Sequence, residues 1–323
     1  MGIKNLNRFL KENCSKHSIR KINLKQLENK VIVIDTSIYL YRYIYENALL
    51  ENMYLLISLL LENKIIPLFV FDGKPPPEKL ELIRKRKLEK KNAEDKYNNL
   101  LIEYNDKLKD RHEKAILEEE MKYLKQKFVR VCEKDITKVK QLLNAYGIMY
   151  YESPNEADEV CAYLVKTGKA WACLSDDMDM FLYGCQRVIR NISLLNRTVL
   201  YYDTECILNE LCMTEEQFKQ IMVLSGTDYN IHSKTDLDTT ILWYSKYTNN
   251  LVTKKISTNI SFYSWLLDET NYITNIDELN NICEIFNINH IKNKELDTIE
   301  IVLNERNNEI LHNIMKLEGF VFT

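Results

Sequence analysis

Seven acidic side chains stand at positions from which they can converge on one catalytic site. Asp35, Asp72 and Asp177 each end a short apolar run, and Asp179 lies two residues beyond the third of them. Open α/β sheets bind ligands at the carboxyl ends of their strands, so acids in these positions are expected to face one another. The other three follow different apolar or turn segments and are Glu156, Asp158 and Asp228.

The chemistry of such a cluster is that of a hard metal site. Many carboxylates in a partly desolvated pocket repel one another strongly unless cations neutralise them. Ligation by oxygen alone favours Mg²⁺ or Mn²⁺ over zinc or copper. Two such ions roughly 4 Å apart activate water and stabilise the leaving oxygen in phosphodiester hydrolysis. The joint pattern therefore favours a metal-dependent nuclease.

Each acid also has a structural interpretation. A single Asp after a strand is more often a turn or N-cap residue than a ligand. The sequence Ser-Pro-Asn-Glu at 153–156 predicts a capping box with Ser153 at the N-cap and Glu156 at N3, a structural role at least as good as a catalytic one. Asp176 and Glu159 are interpreted as ordinary surface acids. Only the combination of all these positions favours metal binding.

The elements that must position these acids are predicted from apolar runs at 31–35, 65–72 and 170–177. Continuous runs of this length are typical of strands buried on both faces of a parallel sheet. The intervals carry helical periodicity, as over 48–61. The fold class is therefore α/β, with a mostly parallel central sheet flanked by helices on both faces. A fourth apolar stretch, at 221–224, leads into Asp228.

A long helical insertion follows the second strand. Residues 78–146 contain no Gly and no Pro, and the segment 79–91 holds seven basic and two acidic side chains. We interpret it as long helices standing out from the sheet. A solvated helical insertion or coiled-coil surface is the usual alternative for such a composition. After about residue 229 the chain reads as helical with Asn-rich connections.

Composition and missing motifs exclude other classes of function. The 323 residues carry a net charge of −3, with eight scattered cysteines and five histidines that lack metal-ligand spacing. Phosphate-binding loops and the serine-hydrolase elbow are absent from the sequence. A signal peptide and a membrane-spanning run are also absent, so we expect a protein that is neither secreted nor membrane-bound.

Six blocks of the sequence resemble the flap-endonuclease family of structure-specific 5′ nucleases. They are the start Met-Gly-Ile-Lys-Asn-Leu and the segments 34–37, 70–76, 153–158, 177–179 and 226–229. One block would be weak evidence, but six in the family's order and with near-family spacing over about residues 1–230 are highly specific.

The resemblance implies an endonuclease and 5′–3′ exonuclease that cuts DNA near 5′ flaps or branch points in replication, repair or recombination. It implies that two Mg²⁺ ions, for which Mn²⁺ can substitute, are held by Asp35, Asp72, Glu156, Asp158, Asp177, Asp179 and Asp228. Asp158 stands where the family usually has the longer Glu. The resemblance also implies a nuclear location, or a cytoplasmic replication site for a viral member.

The resemblance divides the chain into a nuclease domain at 1–77 and 136–228, a helical arch at 78–135, and a helical C-terminal region at 229–323 with a degenerate helix-hairpin-helix. In the arch, Lys79 and Arg86 match the family's catalytic basic pair, which binds the scissile phosphate.

Further DNA contacts follow from the same resemblance. Arg84 and Lys85 are assigned as general phosphate contacts, and Gly2 as a DNA-binding residue. Tyr41 matches an aromatic residue that stacks on a base beside the cut. Ordinary core packing is an almost equal alternative for Tyr41, because other tyrosines surround it.

Two departures from the family pattern change the expected partners. The segment 230–237 lacks the glycines of the family's duplex-gripping hairpin, so we predict altered duplex binding there and no K⁺ site. The C-terminal sequence has no sliding-clamp motif, so clamp recruitment is not predicted. Both losses would fit a divergent, viral member. The sequence does not indicate an oligomeric state.

Two competing hypotheses remain. A catalytically silent DNA-binding recombination scaffold should have lost some metal carboxylates or the pair Lys79 and Arg86, yet none is missing. A small ribonuclease that also gathers carboxylates at strand ends would be far shorter and would lack the helical insertion.

Overall fold

The computed structural model describes residues 3–105, 110–231, 234–253, 255–256, 260–288 and 294–320. The chain begins with α1 (Leu6–Asn13), β1 (Ile19–Asn23), β2 (Val31–Asp35), α2 (Thr36–Tyr45), α3 (Leu49–Glu62), β3 (Ile66–Phe71), α4 (Leu80–Tyr104) and α5 (Arg111–Lys127). It continues with α6 (Glu133–Ala145), β4 (Tyr150–Glu152), α7 (Ala157–Lys166), β5 (Ala172–Leu174), β6 (Arg187–Ser193), β7 (Thr198–Asp203), α8 (Thr204–Glu210) and α9 (Glu215–Leu224). The remaining helices are α10 (Leu237–Val252), α11 (Phe262–Glu269), α12 (Ile276–Ile285), α13 (Lys294–Thr298) and α14 (Asn308–Leu317).

The strands form one seven-stranded sheet in the order β1-β7-β6-β5-β2-β3-β4. Neighbours from β4 through β6 are parallel, whereas β7 and β1 are added antiparallel at one edge. This arrangement confirms the predicted α/β fold with a mostly parallel sheet.

The sheet is buried on both faces, as its continuous apolar runs predict. Along β2, Val33 packs into one hydrophobic core, while Ile32 and Ile34 pack into the other. Side chains of a strand alternate between faces, so an apolar residue at every position requires helices on both sides. The two cores confirm that helices cover both faces.

The predicted third strand is too long at its carboxyl end. β5 ends at Leu174, and the Oγ of Ser175 then donates to the Oδ2 of Asp35 at 3.0 Å and accepts from the backbone N–H of Asp177 at 3.1 Å. The backbone N–H of Ser175 still donates to the carbonyl of Ile189 in β6 at 3.1 Å, and the chain leaves the sheet after it.

The helical insertion is a pair of long helices, α4 and α5, which pack against each other. Over its 25 residues α4 buries only Leu82 and Ala93, and α5 buries Leu117 and Leu124. Helices with so little buried surface cannot lie flat on a sheet, so the pair stands away from it.

The last described segment returns to the sheet and its flanking helices. Leu303 forms an isolated antiparallel bridge with Ile148, and the backbone N–H of Asn304 donates to the carbonyl of Gly147 at 2.8 Å. Helix α14 packs on α6 and buries Leu311 and Met315. Residues 303–317 therefore pack on the face of the sheet whose hydrophobic core contains Ile32 and Ile34. Among the described helices, none is long and apolar enough to cross a membrane.

Candidate active site

The predicted acids meet at the carboxyl edge of the parallel strands. Asp35 is the last residue of β2, and Asp72 directly follows β3. Asp177 follows β5, and its Oδ1 accepts from the backbone N–H of Asp179 at 3.0 Å. Asp158 lies in the first turn of α7, which starts beside the same edge. The parallel topology thus brings acids from distant segments together.

Asp72 is held by two donors from separate elements. Its Oδ1 accepts from the backbone N–H of Ala157 at 2.7 Å, and the Ser37 hydroxyl donates to its other oxygen. The carboxylate therefore caps α7, whose four first N–H groups lack partners within the helix. The first turn of α7, which also carries Asp158, therefore fixes the orientation of the Asp72 carboxylate.

The predicted capping box is wrong. Glu156 has extended backbone angles, φ −80° and ψ 147°, and is itself the N-cap, so α7 begins at Ala157. The Ser153 hydroxyl instead donates to the carbonyl of Glu156 at 2.9 Å and accepts from the N–H of Asn155 at 3.3 Å. The Glu156 side chain is thereby released from a capping role and reaches into the cluster.

The raised pKa values of the acids indicate that their carboxyl groups lie close enough to repel one another. Burial raises the pKa of Asp35 to about 8, and the charges of Asp72 and Asp177 add to the effect. The pKa of Asp158 is raised well above its usual value by burial and then by the charges of Asp35, Asp177 and Asp72. A carboxylate in such surroundings is costly to ionise without a nearby cation.

Asp179 links the second half of the cluster. Burial raises its pKa well above the ordinary value, and Asp177, Asp228 and Glu156 repel its charge further. The repulsive interactions of Asp35, Asp158 and Asp179 together involve every acid of the predicted set. The set is Asp35, Asp72, Glu156, Asp158, Asp177, Asp179 and Asp228.

Two buried oxygens of the cluster have no hydrogen-bond partner. They are the Oδ1 atoms of Asp158 and Asp179. Unsatisfied buried carboxylate oxygens, in a donor set made of carboxylates alone, fit the ligation that Mg²⁺ or Mn²⁺ prefers. Within the described residues, no three acidic, histidine or cysteine side chains are arranged so that they could hold a metal ion without moving. Two of the acids are engaged by basic side chains instead.

Lys79 is the buried cation of the site. It is 7% exposed, and its Nζ lies 2.8 and 2.7 Å from the two carboxylate oxygens of Glu156 and 3.8 Å from Asp228. The ring of Tyr229 lies 4.9 Å from the ammonium, and the Tyr229 hydroxyl donates to Glu156 at 3.1 Å. Burial lowers the pKa of Lys79, but pairing with Glu156 outweighs this and the pKa is raised.

Arg86 approaches the same acids from the solvent side. Its Nη2 donates to both oxygens of Asp228, at 3.0 and 2.9 Å. The side chain is 46% exposed, in contrast to that of Lys79. Both members of the predicted basic pair therefore reach the acidic cluster, Lys79 from the N-cap of α4 and Arg86 from within that helix. Arg84 and Lys85, next to it in α4, are exposed.

Tyr41 lies on the surface beside the cluster. It is 43% exposed, whereas its neighbours Tyr39 and Tyr43 are 0% and 3% exposed. The core-packing alternative for Tyr41 is therefore wrong. Burial and, to a smaller extent, the charge of Asp72 raise the pKa of the Tyr41 hydroxyl. The hydroxyl therefore lies close enough to the acids to be affected by their charge. The Nζ of Lys90, in α4, lies 4.8 Å from the centre of its ring.

Several residues that shape the site were not singled out from the sequence. Ser37 and Ser175 hold Asp72 and Asp35, and Tyr229 holds Glu156. Gly73 lies so close to the neighbouring loop that a Cβ there would be 2.0 Å from the carbonyl oxygen of Ser153. The sequence could have indicated these residues, because they lie within or beside the six blocks described in the sequence analysis.

One acid was misjudged, and some predictions cannot be placed. Asp176 is not an ordinary surface acid, because its carboxylate pairs with Arg42 and accepts from the N–H of Asn191 at 2.7 Å. Gly2 and part of the glycine-free segment 230–237, namely residues 232 and 233, lie outside the described residues.

Comparisons with known proteins show which family the chain resembles in sequence. The model of the XPG N-terminal domain matches residues 1–93, and that of the XPG I-region matches residues 147–228. Flap endonuclease 1 of Methanococcus aeolicus is 31% identical over 228 residues, or 66% of this chain and 66% of that protein. Flap endonuclease 1 of Nanoarchaeum equitans is 32% identical over 238 residues, or 65% of this chain and 67% of that protein. The chain thus matches just under two thirds of the length of the first of these relatives.

Solved structures show the same fold. The catalytic core of Rad2 in complex with DNA substrate superposes with a TM-score of 0.66 at 22% identity, covering 99% of this chain and 95% of that one. Flap endonuclease-1 from Methanococcus jannaschii gives a TM-score of 0.61 at 24% identity, covering 93% and 90%. With 32% identity to the Nanoarchaeum equitans protein, of which 67% is covered, the chain belongs to the flap-endonuclease family.

Proposed function

We propose that the chain is a Mg²⁺-dependent, structure-specific DNA nuclease that hydrolyses phosphodiesters near 5′ flaps or branch points, as an endonuclease and 5′–3′ exonuclease. The observation that carries this proposal is the convergence of seven acids with two basic side chains, Lys79 and Arg86, at the carboxyl edge of the sheet. An acidic cluster with a cation pair directed at it suits a reaction at a negatively charged phosphate.

The seven acids would hold two Mg²⁺ ions, or Mn²⁺ in their place. When bound, such ions polarise the phosphate and lower the pKa of water. The chain's own contribution is to aim the carboxylates. Ser175 orients Asp35, and Ser37 with the first turn of α7 orients Asp72. Outer contacts of this kind fix the direction of ligating oxygens.

The basic pair would bind the scissile phosphate. Lys79 and Arg86 now hold Glu156 and Asp228, and a phosphate entering the site offers them a competing anion. Exchange of partners would place two cations on the phosphate and release the two carboxylates for the metal ions. Cations that act where charge develops in the transition state typically contribute about 10²–10³ in rate.

Tyr41 and the surface of α4 would receive the rest of the substrate. The ring of Tyr41 is half-exposed, and a base would stack on it in place of the Lys90 ammonium that now lies 4.8 Å from its centre. The exposed side chains of Arg84 and Lys85 can contact phosphates. Gly2 is assigned to DNA binding by its motif alone. Relatives of this fold were solved with DNA, including Rad2 with DNA substrate and human GEN1 with Holliday junction DNA. We infer branched or 5′-ended DNA as the partner, in replication, repair or recombination, in the nucleus or at a viral replication site.

A cleavage assay with matched variants tests the proposal. Purified protein is incubated with 5′-flap, nicked, single-stranded and hairpin DNA, each with Mg²⁺ or with EDTA. The test variant is Asp179→Asn, which keeps the side-chain shape but removes a buried charge with an unpartnered oxygen. The control is Asp203→Asn, a change at the N-cap of α8 outside the cluster.

We expect Mg²⁺-dependent cleavage of at least one branched substrate by the wild type and by the control, and loss of that cleavage in the Asp179 variant, because a ligating charge has been removed. Equal cleavage by wild type and Asp179→Asn would rule out the assigned site. DNA binding without cleavage by the wild type on any substrate would support the catalytically silent scaffold instead.

A further inference from the structure

A concave basic surface lies at the edge of the sheet opposite the acids. We call it the basal pocket and define it by Lys30, Lys166, Lys169, Trp171 and Arg187. Lys30 directly precedes β2, Trp171 precedes β5, and Arg187 begins β6. β2 spans five residues from the pocket to Asp35, a distance along the strand of about 17 Å.

The pocket is open to solvent and strongly positive. Its volume is about 280 Å³, enough for a phosphate or a small nucleotide. Four of its lining side chains are basic, namely Lys30, Lys166, Lys169 and Arg187, and none is acidic. A concave surface of one sign concentrates the field and attracts anions.

The indole of Trp171 holds two of the cations in place. The Arg187 guanidinium lies 5.3 Å and the Lys30 ammonium 5.7 Å from the ring centre. Arg187 also donates to the carbonyl of Trp171 at 3.4 Å, and the indole stacks on Tyr201 with ring centres 5.6 Å apart. Cation–π contacts position a charge without neutralising it, so both side chains keep their attraction for anions.

Carboxylates do little to neutralise these cations. Across the described part of the chain, Lys30, Lys169 and Arg187 form no ion pair with an acid, and Lys166 has only Glu215 at 3.9 Å. Asp203 pairs with Arg187 in the strand register, but its carboxylate accepts from the Tyr201 hydroxyl at 2.9 Å and caps α8. The like charges of the pocket therefore repel one another, and a bound anion would relieve that repulsion.

We propose that the basal pocket binds a phosphate group, supplied either by a polynucleotide backbone or by a free phosphate or nucleotide. A planar guanidinium fixed by an indole suits two oxygens of a tetrahedral anion, and the surrounding ammonium groups add charge from other directions. The site lies at the opposite end of the strands from the acids, so its ligand is distinct from the phosphate at the cleavage site. It needs no metal and does not depend on nuclease activity.

Binding is measured in EDTA, so that cleavage cannot interfere. The probes are pyrophosphate, followed by tryptophan fluorescence and calorimetry, and a 20-nucleotide single-stranded DNA titrated at several salt concentrations. The test variant is Lys30→Gln/Lys169→Gln. The control is Lys16→Gln/Lys25→Gln, which removes the same charge at exposed positions outside the pocket. Circular dichroism confirms folding, and Lys169→Gln alone serves as a milder second variant.

If the ligand is a free phosphate, the pocket variant loses at least tenfold in pyrophosphate affinity, while the control stays within twofold of the wild type. If it is a DNA backbone, the slope of log affinity against log salt becomes shallower by about 1.4, since each neutralised phosphate of a single strand contributes about 0.7. Either result supports the site and identifies the source. Equal pyrophosphate affinity and equal salt slopes for the wild type and both pocket variants would overturn it.

Discussion

Replacing Asp35 with asparagine should stabilise the metal-free protein, and increasingly so as the pH rises. Burial and the neighbouring charges of Asp72 and Asp177 raise the pKa of Asp35 from 3.8 to about 8. The change Asp35→Asn removes this titration. The asparagine oxygen can accept from the N–H of Ser37, as Oδ1 of Asp35 does, and the amide NH2 group then faces the Ser175 hydroxyl, which can turn to accept from it. The variant therefore loses a charge that the fold disfavours while keeping most of the local hydrogen bonds.

The sign and size of the effect follow from proton linkage. The folded-state pKa lies above the unfolded one, so the folded protein binds more protons between about pH 4 and pH 8 and becomes less stable as the pH rises through that window. A shift of about four units corresponds to about 5 kcal/mol at pH 8 and between 1 and 2 kcal/mol at pH 5. Weakened hydrogen bonds in the variant cost about 1–2 kcal/mol at either pH. The net gain is thus close to zero at pH 5 and about 4 kcal/mol at pH 8.

Urea denaturation in EDTA at pH 5, 6.5 and 8, followed by circular dichroism, measures this difference. The control is Asp236→Asn at the N-cap of α10, where hydrogen bonds from Thr239 lower the pKa of the acid and asparagine caps equally well. Its stability should differ little from that of the wild type across the range. A stability gap for Asp35→Asn that is the same at pH 5 and pH 8, or a variant less stable at pH 8, would refute the reasoning.

Three further predictions concern the same edge of the sheet. Added Mg²⁺ should raise the melting temperature of the wild type, because a hundredfold excess over Kd adds about 2.7 kcal/mol to the free energy of unfolding. The rise should be much smaller for Asp35→Asn. Equal shifts of the two melting temperatures by calorimetry would argue against the assigned ligands. Arg86→Ala should lower single-turnover cleavage about 100-fold with less than a threefold change in DNA affinity, because Arg86 reaches Asp228; a pure affinity loss would make it a simple phosphate contact. Gly73→Ala should reduce stability by about 2 kcal/mol or more, since its Cβ would meet the Ser153 carbonyl at 2.0 Å; unchanged urea unfolding would contradict this.

Those parts of the fold that depend on local pattern were predictable. β2 has the predicted bounds, because a run of Val and Ile ending in Asp suits a strand buried on both faces. The edge strand β1 was missed, since Ile-Arg-Lys-Ile-Asn is half polar and resembles a surface loop. The apolar stretch at 221–224 is the end of α9, and periodicity over four residues does not distinguish a helix from a strand.

The site was predictable as a set of residues but not as a set of contacts. Acids at the ends of parallel strands had to meet, and they do. The cap of α7 could not be read locally, because its acceptor, Asp72, lies 85 residues before Ala157 in the chain. The pairing of Lys79 with Glu156 is equally remote, at a separation of 77 residues. Such contacts depend on the whole topology, whereas the capping-box pattern reports only local preference.

Residues 303–317 pack back on the sheet, so this part of the fold can be completed only after they have been synthesised. Ile148 and Gly147 cannot gain their partners Leu303 and Asn304 until more than 150 further residues have been made, and α6 waits equally long for α14. Contacts over such separations close slowly. A nascent chain therefore exposes the flank of β4 and the side of α6 that α14 later covers for much of its translation, and aggregation can begin at this exposed flank.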